Sequence, residues 1–199
     1  MFGHGYEEYL ETGQVHGHHF DAGLKLAEKL PNPIFTPTTK AEEGHDENVS
    51  IEEAINIVGK NVYDFVRDAS IAIYEFGAKR AQEEGIILAD TKFEFGFKAN
   101  SDGALSNGTS ANAVDDIILI DEVMTPDSSR YWEGSTYEVG TSPSSFDKQF
   151  LRDWLETQPW DKTAPAPTLP ESVITGTRER YVEAYERITG ESFSSWTAQ

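Results

Sequence analysis

The chain has 199 residues, enough for a substantial buried core in one large domain or two small ones. Its formal charge of -19 argues against holding nucleic acid or an anionic membrane through a general electrostatic field. With no cysteine, disulfides and thiolate metal sites are excluded. No stretch reaches the apolar length of a membrane span and no signal-peptide pattern opens the chain, so the expected location is cytoplasmic.

Residues 1–49 form an irregular Gly-, His- and Pro-rich segment in which Tyr6–Leu10 reads as one helical turn. His16, His18 and His19 have metal-ligand spacing on a loop. H-x-H-H is weak on its own, and exposed or satisfied histidines are the more common reading. Thr36–Glu42 and His45–Asn48 are polar runs that either close over a substrate or connect to the following helix.

Residues 50–158 read as an α+β core. Ser50-Ile51-Glu52-Glu53 fits a capping box and opens a short helix ending near Gly59. Val62, Phe65, Val66, Ala69, Ala72, Ile73 and Phe76 recur at helical spacing, predicting a helix over 61–84 with Gly85 as its stop and that stripe in the core.

Two apolar stretches follow, each running into charge. Ile86-Ile87-Leu88-Ala89 leads into Asp90-Thr91-Lys92-Phe93-Glu94-Phe95-Gly96, and Ile117-Ile118-Leu119-Ile120 leads into Asp121-Glu122-Val123. Successive aliphatic residues predict strands buried on both faces. Alternation would put Asp90, Lys92 and Glu94 on one face, and pairing of the two strands would bring Asp121 beside them. Carboxylates on a buried strand pair need compensation, for which a divalent cation with phosphates is suited. The alternative is a salt-bridged surface ribbon in which Lys92 neutralises Asp90 and Glu94. Residues 97–116 between the strands read as a polar hairpin tip.

Past Trp132, Ser135–Gly140 reads as a short strand or ordered loop. Ser144 or Ser145 is placed to cap a helix carrying Phe146, Phe150, Trp154 and Leu155, on which Lys148 and Arg152 are neighbours. Residues 159–199 hold a proline-rich connector and a helix starting near Pro170–Glu171 and ending at Gly190.

Asp90-Thr91-Lys92-Phe93-Glu94-Phe95-Gly96 resembles a D-x-K-x-E-F-G signature of the SAICAR synthetases, the phosphoribosylaminoimidazole-succinocarboxamide synthases. Asp121-Glu122-Val123-Met124-Thr125-Pro126-Asp127-Ser128-Ser129-Arg130-Tyr131-Trp132 is similar to that family's second block, and Phe146–Arg152 to its third. Thr36–Glu42 and His45–Asn48 look like stretches of its fungal-like branch. The resemblance runs from about Tyr6 to Trp196.

The resemblance implies a kinase- and ATP-grasp-like α+β body with antiparallel strands and C-terminal helices. It also implies an ATP-dependent carbon–nitrogen ligase of purine biosynthesis. Such an enzyme joins carboxyaminoimidazole ribonucleotide (CAIR) to L-aspartate through an acyl phosphate, giving SAICAR. By resemblance Glu94 and Asp121 hold Mg2+ and ATP phosphates, while Lys92 stabilises charge at the activated carboxylate. Asp90 is the candidate for handling the aspartate amine. Asp127, Ser128, Ser129, Arg130, Lys148 and Arg152 are the expected ribonucleotide-binding residues. The family's N-terminal signature, with its arginine and serine, has no counterpart before Tyr6. Two expectations therefore stand beside the ligase: a catalytically silent homologue, and one part of a split enzyme that needs a separate N-terminal lobe. A kinase-like enzyme with another acceptor fits less well, because nothing in a general kinase scheme requires the Asp127–Arg130 run.

Overall fold

Ser50 starts the first helix of the core as its sequence predicts. Its hydroxyl accepts from the Glu53 amide at 3.2 Å, and the Glu53 carboxylate accepts from the Ser50 amide at 2.8 Å. The computed structural model describes residues 1–40, 47–98, 113–146 and 148–197. In chain order the elements are α1 (His4–Thr12), β1 (Gln14–Val15), β2 (His18–His19), α2 (Ile51–Val58) and α3 (Lys60–Glu83). They continue with β3 (Ile86–Thr91), β4 (Glu94–Phe97), β5 (Ile117–Ile120), β6 (Ser129–Glu133), α4 (Gln149–Glu156), α5 (Glu171–Thr189) and α6 (Phe193–Thr197). Helices and antiparallel strands mix, as an α+β chain requires.

Internal contacts divide the chain into two units, with the boundary falling inside α3. One comprises Met1–Glu75, Phe93–Asp121 and Val139–Ser142; the other comprises Phe76–Lys92, Glu122–Glu138 and Pro143–Gln199.

In the first unit α1 is longer than the single predicted turn, and Tyr9 is buried beneath it. The Tyr9 hydroxyl donates to the Asp21 carbonyl at 2.8 Å and accepts from the Leu24 amide at 3.0 Å, fixing the loop that follows. Thr38 and Asn48 bridge antiparallel, while the rest of the polar loop, residues 41–46, lies outside the described residues. Glu94 pairs with Ile120 and Phe97 with Ile117 in the two-stranded β4–β5 ribbon. The predicted hairpin tip likewise falls largely outside the described residues, at 99–112.

In the second unit β3 pairs with β6, Ile86 opposite Glu133 and Asp90 opposite Arg130, with a register shift between Leu88 and Asp90. Ile86, Leu88, Tyr131, Trp132, Phe146, Val173 and Ala184 are among its buried residues. Gly85 ends α3 with a left-handed φ of 71°, and its carbonyl accepts from the Gly134 amide at 2.9 Å. Arg187 of α5 donates to the Glu133 carboxylate at 2.6 Å and to the Glu84 carbonyl at 2.7 Å, and its guanidinium lies 5.1 Å from the Phe146 ring centroid.

Four sequence expectations are corrected here. First, residues 86–96 are not one strand. The partner β6 begins only at Ser129, so the run ends its first pairing at Lys92, whose amide reaches the Ser128 carbonyl at 2.9 Å, and then re-pairs as β4 with β5. Second, the aliphatic halves of the two stretches do not face each other; β3 goes to β6. Third, β5 is not buried on both faces: Ile118, Leu119 and Ile120 each keep 38% of their surface, because a two-stranded ribbon offers limited cover. Fourth, the helix expected to carry Phe146 starts at Gln149, since Ser145 is engaged in a bridge to Trp132 and Phe146 is buried before the helix begins. In α3, Val62 of the predicted stripe is buried, but so are Tyr63, Ser70 and Ala81 outside it, while Phe65 and Phe76 within it are exposed.

Candidate functional site

The β3–β6 pair brings a run of charge to one end of the second unit. Its register sets Asp90 across from Arg130, and the Arg130 guanidinium donates to the Asp90 carboxylate at 2.6 Å. Desolvation by the surrounding protein raises the Asp90 carboxyl above its ordinary range, and the Arg130 and Arg152 cations act against that rise. The Asp90 side chain nevertheless keeps 57% of its surface in water, with the Arg130 guanidinium at hydrogen-bond distance.

Between Glu122 and Arg130 the chain makes a turn held by hydroxyls. The Ser128 hydroxyl accepts from the Thr125 amide at 3.1 Å, and the Thr125 hydroxyl accepts from the Ser128 amide at 3.2 Å while donating to the Glu122 carboxylate. Ser129, which is buried, exchanges a 2.8 Å hydrogen bond with the Thr91 hydroxyl on β3. The turn holds Asp127 at its rim, where the Lys148 ammonium donates to its carboxylate at 3.1 Å. Lys148 stands at the N-terminal end of α4, and the Arg152 amide bonds to its carbonyl.

Asp90, Asp127, Ser128, Ser129, Arg130, Lys148 and Arg152 therefore all lie in the second unit, together with Lys92. In a chain of charge -19, Arg130 and Lys148 are each paired with a carboxylate here, and the Arg152 cation acts on Asp90. Ser128 and Ser129 already have hydrogen-bond partners within the protein, and their hydroxyls hold the turn.

Glu94 and Asp121 belong to the first unit, at the end of the β4–β5 ribbon. Glu94 faces Ile120, and Asp121 is the next residue, bent into left-handed backbone at φ 65°. The Glu94 side chain is 16% exposed and carries a cation: the Lys40 ammonium donates to it at 2.6 Å. Lys40 belongs to the polar run expected either to close over a substrate or to connect to the next helix, and its partner is 54 residues away. No spacing rule would have paired them.

Of the three clustered histidines, His16 and His18 are engaged with backbone. One His16 ring nitrogen is 3.2 Å from the Pro37 carbonyl and one of His18 is 3.0 Å from the Phe35 carbonyl. Among the described residues, no group of three or more His, Asp or Glu side chains is arranged to hold a metal. A cation at Glu94 and Asp121 would thus have, among the described residues, two carboxylates at most. Such a donor set suits Mg2+, which completes its shell with water and phosphate oxygens. In this structure Glu94 is paired with the Lys40 ammonium.

The family model described as SAICAR synthetase matches residues 6–167. Proteins called phosphoribosylaminoimidazole-succinocarboxamide synthase from Stenotrophomonas maltophilia strain K279a and Xylella fastidiosa strain 9a5c are each 50% identical over 191 residues. Those matches cover 96% of this chain and 57% and 58% of the relatives. A solved SAICAR synthase from Saccharomyces cerevisiae, complexed with SAICAR, is 42% identical over 96% of this chain and 58% of its own, with a TM-score of 0.80. A SAICAR synthetase in complex with ADP is 28% identical, covering 85% of this chain and 56% of its own at a TM-score of 0.57. The chain spans less than three fifths of the length of these proteins. On the family match and the identity along nearly its whole length, the chain belongs to the SAICAR synthetase family.

Proposed function

We propose that this chain carries the CAIR- and aspartate-handling part of an ATP-dependent ligase that forms SAICAR, and that it works with Mg2+. The observation that carries this reading is the group of Arg130, Lys148 and Arg152 beside Asp90 and Asp127 in an otherwise strongly acidic chain. A phosphorylated substrate needs such local cations, because the overall field repels it. The ADP complex of one relative and the SAICAR complex of another support the same substrates here.

The chemistry follows from the groups. A carboxylate resists attack by an amine, so the CAIR carboxylate first takes the terminal phosphoryl group of ATP, releasing ADP. The aspartate amine then attacks the acyl phosphate, inorganic phosphate leaves with the C–O bond, and the amine loses a proton. Positioning and charge neutralisation dominate such transfers. In this reading Arg130 and Lys148 bind ribonucleotide anions, with Arg152 beside them, and Ser128 and Ser129 hold the turn that carries Asp127. Lys92 lies against the activated carboxylate. Asp90 orients the aspartate ammonium and receives its proton, a role helped by the upward push that desolvation gives its carboxyl. Glu94 and Asp121 would hold Mg2+, which when bound neutralises phosphate charge.

The proposed location is the cytoplasm, where the phosphorylated intermediates of purine synthesis are made. Among the described residues no helix is long and apolar enough to cross a membrane. A separately supplied N-terminal lobe is the further partner proposed.

The test is ADP and SAICAR formation by the purified chain with ATP, Mg2+, CAIR and L-aspartate, run with and without an added lobe from a full-length relative. Equal amounts of ADP and SAICAR from the chain alone would support the ligase. Product only after the lobe is added would mean an activity shared between two polypeptides. ADP release that ignores aspartate would point to another acceptor and sink the ligase reading. The same would follow if neither arrangement produced SAICAR.

A further inference from the structure

The turn that presents Asp127 and Arg130 begins at a residue whose backbone is out of character. Met124 has φ 56°, left-handed for a bulky side chain that gains nothing from that conformation. Such a geometry persists only where the surroundings hold it. Two contacts do so here. The Tyr131 hydroxyl, on a side chain only 3% exposed, donates to the Met124 carbonyl at 2.7 Å. The Met124 side chain also lies directly on the bare Cα of Gly77 in α3. A Cβ at position 77 would stand 2.1 Å from the Met124 sulfur and 2.5 Å from its terminal methyl, with Leu88 at 3.7 Å as the next neighbour. Gly77 is a mid-helix glycine at ordinary helical φ, and a helix interior disfavours glycine relative to alanine. Room for Met124 is the reason the geometry offers for its presence.

We propose that Met124 is a positioning residue, pinned by Gly77 and Tyr131, that sets the Thr125–Ser128 turn and with it the orientation of Asp127 and Arg130 toward the ribonucleotide. Its functional half rests on the reading given under Proposed function. The links run through the chain itself. From Met124 the backbone enters the turn closed by the Thr125 and Ser128 hydroxyls. The Ser128 carbonyl then takes the Lys92 amide, and β6 begins at Ser129 with Arg130 opposite Asp90. Releasing Met124 loosens the turn without touching any group that meets substrate.

Tyr131→Phe deletes the tie and keeps the ring in the core, while Gly77→Ala displaces the methionine tip and suits the helix better than glycine does. Hydrogen exchange on the whole chain reads the turn directly at the amides of Thr125, Ser128 and Lys92. Calorimetry with CAIR reads the site, and the thermal midpoint serves as the control for general damage. The expected result is exchange about tenfold faster at those three amides, with the α5 amides unchanged. CAIR affinity should fall about tenfold while the midpoint moves by no more than a few degrees. Unchanged exchange in both variants would overturn the proposal. Faster exchange with unaltered CAIR affinity would overturn its link to the site, and a general loss of protection with a large fall in midpoint would reduce Met124 to ordinary packing. If the parent chain binds no CAIR yet the exchange changes appear, Met124 anchors the turn and the ribonucleotide reading is what fails.

Discussion

Ile86 and Leu88 in the β3–β6 pair retain 0% and 3% of their surface, whereas Ile118, Leu119 and Ile120 in the β4–β5 ribbon each retain 38%. Both stretches are four aliphatic residues followed by acid, and both pair antiparallel with a single partner strand. The difference lies in what covers them. Around β3 and β6, the second unit supplies Phe146, Val173 and Ala184 as further buried residues, and Arg187 ties α5 to Glu133. The β4–β5 ribbon has less apolar cover, and its distinguishing feature is the pair Glu94 and Asp121 at its end. Apolar content gives a strand; burial depends on how many elements return to it.

The comparison breaks most sharply in activity. Glu94→Ala and Asp121→Ala should each cut Mg2+-dependent SAICAR formation by about 10²–10³-fold, because charge developing on the phosphates loses its support. Circular dichroism and the thermal midpoint should change little, since neither carboxylate lies in the buried core. Full turnover in both variants would remove the metal reading from the ribbon.

Stability should divide the other way. Ile86→Ala removes a fully buried side chain and should cost about 2–5 kcal/mol in urea unfolding, whereas Leu119→Ala at the half-open strand should cost about 1 kcal/mol or less. Equal losses would mean that the ribbon is as well covered as the pair. Within the paired strands, Arg130→Lys keeps the charge and loses the planar fork, so CAIR binding should weaken about tenfold in calorimetry.

The smallest expected effect is a pH dependence. The Ser135 amide and then the Arg187 guanidinium hold the Glu133 carboxyl below its ordinary value of 4.5. A carboxyl lowered on folding contributes stability above its unfolded value and loses it as pH falls through the folded one. Wild type should therefore exceed Glu133→Gln in urea midpoint at neutral pH, and the gap should close on acidification below about 4.5. A gap that stays constant with pH would make the Glu133 contribution one of shape alone.

Local rules carried much of the fold. The capping box at Ser50, the glycine stops at Gly85 and Gly190 and the start of α5 at Pro170 each follow from nearest neighbours in sequence, and all are present. The two aliphatic strands were also legible, but β1, β2, β6 and the strand pairing were not. The break at Lys92 depends on where β6 begins, 37 residues later, and no periodicity within 86–96 encodes that. The residues of the candidate site were chosen through family motifs rather than through pattern. Their arrangement was not legible, because the Lys40–Glu94 pair, the hydroxyl turn and the left-handed Met124 depend on distant partners or on a residue that is no usual turn former.

The exposed β5 strand has a consequence for handling the protein. Ile117-Ile118-Leu119-Ile120 is an uncharged aliphatic segment of high strand propensity in a ribbon only two strands wide, the kind of template on which other chains stack. Asp115 and Asp116 stand immediately before it and Asp121 and Glu122 immediately after, so four negative charges bracket four apolar residues. Those acids act as gatekeepers against self-association. Neutral substitutions at the flanks would promote association of the chain with itself.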